Sequence, residues 1–234
     1  LFPRSLPQIE GLELAAICQP ARETGGDFFD FVVLEHQPSN HTRNLAVIVG
    51  DASGKSITGA MLMAIARSIV RSEARNHQLP EAVMHASNRW IVDDVPQRSF
   101  VALSYATLDV QKRRLALANG GQLAPLRRRP NGLVEYLEVG GPKLPLGILP
   151  NVAYEAAEFD LEPGDLLIFY TDGIVEAHND ARELFGFERL EALVQQYGVL
   201  PPLQLIDTIL HHISAFIGDI PPHDDMTLVA LRVV

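Results

Sequence analysis

Hydrophobic positions along this chain follow two rhythms. Short runs rich in Val, Ile, Phe and Tyr, bounded by turn residues, predict β-strands at Leu12–Cys18, Asp27–Leu34, Leu45–Gly50, Phe100–Asp109, Arg114–Asn119, Leu166–Tyr170 and Met226–Val233. Asn131-Gly132, between Leu126–Arg129 and Leu133–Leu137, predicts a hairpin turn. Four longer stretches have helical spacing: Ser56–Arg75, Glu81–Val95, Glu188–Tyr197 and Leu203–Ile217. Pro80, Pro201 and Pro202 suit helix starts. In the first helix Ile57, Met61, Ala64, Ile65 and Ile69 share an apolar face, and Arg67, Arg71 and Arg75 share another at i, i+4 spacing.

The order is strands, two helices, many strands, two helices, strand. That is not the βαβα alternation of a doubly wound parallel sheet. It predicts an α+β fold with largely antiparallel sheets and helices on their outer faces. With no internal repeat and no low-complexity linker, one domain over residues 1–234 is the simplest organisation.

Composition adds limits. A hydrophobic content of 47% in 234 residues supports a packed core. The net charge of −10 argues against non-specific binding to nucleic acid or anionic membranes, which needs basic patches. The single cysteine, Cys18, excludes an intrachain disulfide and fits a reducing cytoplasm, the expected location. No apolar run is long enough to cross a bilayer, and no signal peptide is visible. The chain starts at Leu1 rather than Met, so it is expected to be the C-terminal part of a longer regulatory protein.

The stretch Val47–Ser56, VIVGDASGKS, ends like a phosphate-binding P-loop. That motif needs Gly, four residues, then Gly-Lys-Ser/Thr. Here three residues separate Gly50 from Gly54, and Val49 stands where glycine should. A nucleotide hydrolase working through Lys55 is therefore disfavoured. Asp51 is the better candidate: a carboxylate at a strand end can serve as a hard metal ligand.

Other strand ends carry acids too. Asp27 follows Gly25-Gly26 with Asp30 close behind, Asp172 follows the run LLIFYT, and Asp224-Asp225 precede the last strand. Each alone reads as turn chemistry. Together they suggest clustered carboxylates, which repel unless divalent cations neutralise them. Oxygen-only ligands favour Mg²⁺ or Mn²⁺ over zinc. His211-His212 are adjacent on a helix and cannot both point to one site. Two hard cations suggest phosphoester hydrolysis, because they lower the pKa of a bridging water and stabilise charge on phosphoryl oxygens.

The segments ETGGDFFDF, VIVGDASGKSITGAMLMAIARSIVR, FVALSYATLD, LALANGGQLAPL, GGPKLPLGI, GDLLIFYTDGIVEA and HDDMTLVALRV, in that order, resemble the PPM metal-dependent protein serine/threonine phosphatases. The closer resemblance is to their SpoIIE/RsbU-like bacterial branch, and it covers nearly the whole chain. It implies a four-layer α-β-β-α sandwich with two central antiparallel sheets and a binuclear Mn²⁺/Mg²⁺ centre, with a third ion possible. It makes Asp51 the metal-bridging aspartate, Ala52 a carbonyl ligand, and Asp172 and Asp224 further ligands. Asp225 takes the second position of the C-terminal Asp-Asn/Asp-Asp motif, and Asp27 matches an acid that supports the centre or binds an additional metal; both belong to the implied metal set. Asp51 and Asp172 would be the catalytic pair.

The implied substrate is phosphoserine or phosphothreonine on a STAS-domain anti-anti-sigma factor. An upstream sensor or receiver domain is implied, and a homodimer is compatible. Ser56 replaces a usual glycine, and Gly120-Gly121-Gln122 replaces Ala-Gly-His. Arg22 is no secure counterpart of the family's phosphate-binding arginine, so no substrate-binding residue is assigned. These departures keep a second reading open, a phosphatase-like module that binds a regulatory partner without turnover.

Overall fold

The computed structural model describes residue 3 and residues 5–35, 43–54, 56–95 and 99–234. Two five-stranded sheets lie at its centre. One sheet runs, edge to edge, through Asp27–Glu35 (β2), Arg43–Ala52 (β3), Val101–Asp109 (β4), Arg114–Gly120 (β5) and Ala156–Asp160 (β8). The other runs through Leu12–Gln19 (β1), Met226–Val233 (β10), Leu166–Tyr170 (β9), Leu126–Arg128 (β6) and Val134–Tyr136 (β7). All ladders between these strands are antiparallel.

Helices Ile57–Asn76 (α1) and Pro80–Asp94 (α2) cover the first sheet. Helices Gly186–Tyr197 (α4) and Pro202–Ile217 (α5) cover the second. A single turn, Asp172–Val175 (α3), follows β9. This is the expected α-β-β-α sandwich.

Both sheets are covered on both faces, which is why their strands read as apolar runs rather than strict alternation. Period two still decides which side chain goes where. In β3, Leu45, Val47 and Val49 enter the layer between the sheets, while Ala46 and Ile48 face the helices. In β9, Leu167 and Phe169 enter that layer; in β10, Val229 and Leu231 do.

Three expectations need correction. The strand β8 went unrecognised because its sequence, AAEFD, is partly exposed and only weakly apolar. The turn α3 is too short to leave a periodic signal. The third concerns α1. Most of its apolar face points outward, with Ile57 70%, Met61 61% and Ile65 42% exposed, although Ile69 packs against the core. The buried face is instead Gly59, Leu62, Met63, Ala66, Val70 and Ala74.

Small residues on that inner face let the helix lie close to β2 and β3, and two arginines anchor it. Arg67 Nη2 and Arg71 Nη1 reach the same Asp30 Oδ2 at 2.9 and 2.7 Å. Arg71 Nη1 also donates to the Phe31 carbonyl at 3.3 Å. Asp30 is 1% exposed, so its charge is tolerable only because it is paired. Arg75, the third arginine of the series, is exposed.

Candidate metal centre

The inward faces of four strands change character at one edge of the sandwich. Phe31 and Phe29 of β2 lead to Asp27, and Leu45, Val47 and Val49 of β3 lead to Asp51. Leu167 and Phe169 of β9 lead to Thr171, and Leu231 and Val229 of β10 lead to Thr227. The β2–β3 register sets Asp27 directly opposite Asp51. Asp172 follows Thr171 as the first residue of α3, and Asp224-Asp225 precede β10. The topology thus gathers carboxylates from four separate segments.

Their depths differ. Asp27 and Asp225 are buried, Asp51 and Asp172 half-buried, and Asp224 exposed. Burial pushes the Asp51 carboxyl up to about 7, and the charges of Asp172, Asp224 and Asp225 push the same way. The Asp172 carboxyl is also raised, first by burial and then by Asp224 and Glu176. Burial and the neighbouring Asp51 raise Asp27 well above the usual carboxylate range, although hydrogen bonds from Thr171 and Thr227 oppose this. Burial leads at all three, and neighbouring like charges add to it.

The two deeper acids are occupied by the protein itself. Thr171 and Thr227 hydroxyls donate to Asp27 Oδ2 at 2.6 and 2.8 Å. Asp225 Oδ1 accepts from the Ala21 N–H at 2.8 Å, and its Oδ2 accepts from the Asp27 N–H at 3.3 Å. The Ala52 N–H donates to the Gly26 carbonyl at 3.0 Å. A Cβ on Gly26 would collide with the Ala52 carbonyl and lie 2.9 Å from Asp51 Oδ1, so only glycine fits there.

The donor chemistry fits a hard divalent cation: carboxylates and one backbone carbonyl, with no thiolate. Among the described residues no three His, Cys, Asp or Glu side chains are placed to hold one metal ion together. An ion at this edge would take one or two carboxylates, with water completing its shell, as Mg²⁺ commonly does. Cys18 is no alternative nucleophile. Burial pushes its thiol up to about 12, and the charges of Asp27 and Asp225 add to that.

The turn after Asp51 is not built as a nucleotide cradle. The Ser53 N–H donates to the Phe100 carbonyl at 2.9 Å, and Ser53 Oγ accepts the Phe100 N–H at 2.8 Å. Lys55 lies outside the described residues. Ser56 adopts φ 57° and ψ −129°, a left-handed backbone that glycine tolerates and serine does not favour. The usual glycine of the branch therefore has a steric reason, and Ser56 bears the strain.

Gln122 is buried and locks its own turn. Its Oε1 accepts from the Leu123 N–H at 2.9 Å. Its backbone N–H and carbonyl each bond the Asn119 side chain at 2.9 Å. Arg22 is exposed, one residue beyond the Ala21 amide that Asp225 holds. Sequence reasoning missed Thr171 and Thr227. The available signal was their parity: both continue, at period two, the inward apolar faces of their strands.

A family model described as Stage II sporulation protein E (SpoIIE) matches residues 41–234. Protein IcfG of Synechocystis is 24% identical over 258 residues, covering 98% of this chain and 39% of the relative. Phosphoserine phosphatase RsbU of Bacillus subtilis is 26% identical over 236 residues, covering 99% of this chain and 66% of the relative. The chain spans less than two thirds of either relative. The solved RsbU and RsbW domains of a Mycobacterium tuberculosis protein match with a TM-score of 0.81 at 25% identity, covering 95% of this chain and 60% of that one.

Proposed function

The chain belongs to the SpoIIE family and is similar to a phosphoserine phosphatase, and on that premise we propose that it is a divalent-cation-dependent protein serine/threonine phosphatase. The observation that carries this reading is the convergence of Asp51, Asp172 and Asp224, whose charges act on one another at one sheet edge. Mn²⁺ or Mg²⁺ held by one or two of these carboxylates, with the Ala52 carbonyl and water, would supply an acidified water and offset phosphoryl charge.

The chain's own residues do the rest. Asp51 sits in a strand rather than a loop, so the β2–β3 ladder fixes its position. Asp224 is exposed, which leaves the edge accessible to a phosphorylated side chain on a protein surface. Asp27 and Asp225 face inward and act as supports. Asp51 and Asp172 carry the catalytic role.

The substrate we propose is phosphoserine or phosphothreonine on a STAS-domain anti-anti-sigma factor. Its dephosphorylation would let it capture its anti-sigma kinase. The greater length of the relatives leaves room for an upstream sensor or receiver domain. Among the described residues no helix is long and apolar enough to cross a membrane.

The test is phosphate release from a phosphorylated STAS-domain protein with Mn²⁺. Asp51→Ala should reduce release by about 10³-fold or more while the fold persists, since it removes a group central to charge stabilisation. Wild-type release that survives chelation would refute the mechanism. Metal and partner binding without any release would instead identify a non-catalytic binding module.

A further inference from the structure

We propose that Thr171 and Thr227 are positioning residues. With Asp27 they form a buried clamp that joins the two sheets and fixes the spacing of Asp51, Asp172 and Asp224. This rests on the reading that those three aspartates hold the cations.

Most of the layer between the sheets is lined by apolar side chains such as Leu, Val and Phe. A polar group there is costly unless it is hydrogen-bonded. Asp27 comes from the first sheet, while Thr171 and Thr227 come from the end of β9 and the start of β10 in the second. Both hydroxyls donate to the same Asp27 oxygen, at 2.6 and 2.8 Å. The threonines are also tied to each other. The Thr227 N–H donates to Thr171 Oγ1 at 3.0 Å, and the Thr171 N–H donates to the Thr227 carbonyl at 3.2 Å. All three side chains are buried, Asp27 at 3% and both threonines at 0% exposed.

Each arm of the clamp ends beside a candidate ligand. Thr171 is bonded covalently to Asp172. Asp27 follows Gly26, whose carbonyl receives the N–H of Ala52, the residue after Asp51. The Asp27 N–H is held by Asp225, the neighbour of Asp224 and two residues from Thr227. The separation of the ligands is therefore set by this network as well as by the sheets. Valine would suit either threonine position as a strand former and as apolar filling. The hydroxyls are explained by Asp27. Partners that orient metal ligands commonly alter metal affinity about 10–100-fold when removed.

The experiment is a calorimetric titration of Mn²⁺ into the full chain, with melting curves to confirm folding. Thr227→Val should weaken Mn²⁺ binding by about tenfold or more. Thr227→Ser, which keeps the hydroxyl, should bind like wild type. At saturating Mn²⁺ the valine variant should hydrolyse p-nitrophenyl phosphate with a KM within about twofold of wild type, because the substrate contacts are untouched. A folded valine variant with wild-type Mn²⁺ affinity overturns the clamp. So does a serine variant as weak as valine. Should valine prevent folding, Thr171→Val reads the other hydroxyl by the same criteria. A wild-type chain that binds no Mn²⁺ defeats the phosphatase reading itself, and the clamp with it.

Discussion

The middle of the layer between the sheets and its metal edge use the same strands and the same inward face, yet they do opposite work. In the middle, Val47 and Val49 of β3, Phe169 of β9 and Val229 of β10 belong to one apolar core. At the edge, those faces continue into Asp51, Thr171 and Thr227. The middle stabilises the fold through removal of apolar surface from water. The edge buries carboxylates whose charges must be offset by hydrogen bonds, protons or cations. Rigidity is generated in one region and used a few residues away.

The largest expected effect tests the middle. Phe169→Ala should cost about 3–5 kcal/mol in urea unfolding, through lost transfer energy and a cavity. The cost should be the same with EDTA as with Mn²⁺, because no ligand is touched. A cost that depends on Mn²⁺ would mean the two regions are not separable.

A smaller effect tests the edge. The raised Asp51 pKa of about 7 means the folded state holds this proton longer than the unfolded state, whose value is about 3.9. Between those values the folded state binds more protons, so this group's contribution to stability falls as pH rises, and the loss is complete above about 7. In EDTA, Asp51→Asn should therefore be more stable than wild type by on the order of 1 kcal/mol at pH 8, with solvent screening limiting the gain. The gap should narrow towards pH 5.5 and close or invert in Mn²⁺. Melting curves of both proteins at these pH values, with and without metal, check the sign.

The smallest expected effect concerns the surface. Ile65→Ser on α1 should change stability by less than about 0.5 kcal/mol, because Ile65 already faces water. A cost of several kcal/mol in denaturant unfolding would mean that this helix face is covered in solution.

That helix also shows where the sequence was hard to read. In α5 the large residues Leu205, Ile206, Ile209 and Ile213 are the buried ones, so hydrophobicity locates the inner face. In α1 the inner face includes Gly59, Ala66 and Ala74, and the anchor is an ion pair to Asp30. Small residues and charged anchors are weak in a periodicity count, whereas Ile57, Met61 and Ile65 are loud. The α-β-β-α layering was legible because covered strands leave dense apolar runs. The edge strand β8 was not, since three of its five residues are exposed.

At the site, the aspartates announced themselves by ending apolar runs. The sequence could not separate supports from candidate ligands. Asp27 and Asp30 lie three positions apart on one strand, so they point to opposite faces. One is bound by two threonines between the sheets, and the other by two arginines under a helix. Thr171 and Thr227 look like ordinary strand residues until both sheets are in place.

The β2–β3 register has a practical consequence for engineering. Asp27 pairs with Asp51 at one end of the ladder, and Glu35 pairs with Arg43 at the other. Eight residue steps separate the two ends, about 27 Å at the rise of an antiparallel strand. The chain leaves and re-enters the sheet at the end remote from the chemistry. A short peptide tag spliced in after Glu35 would therefore join the molecule at the end of this ladder opposite its working edge.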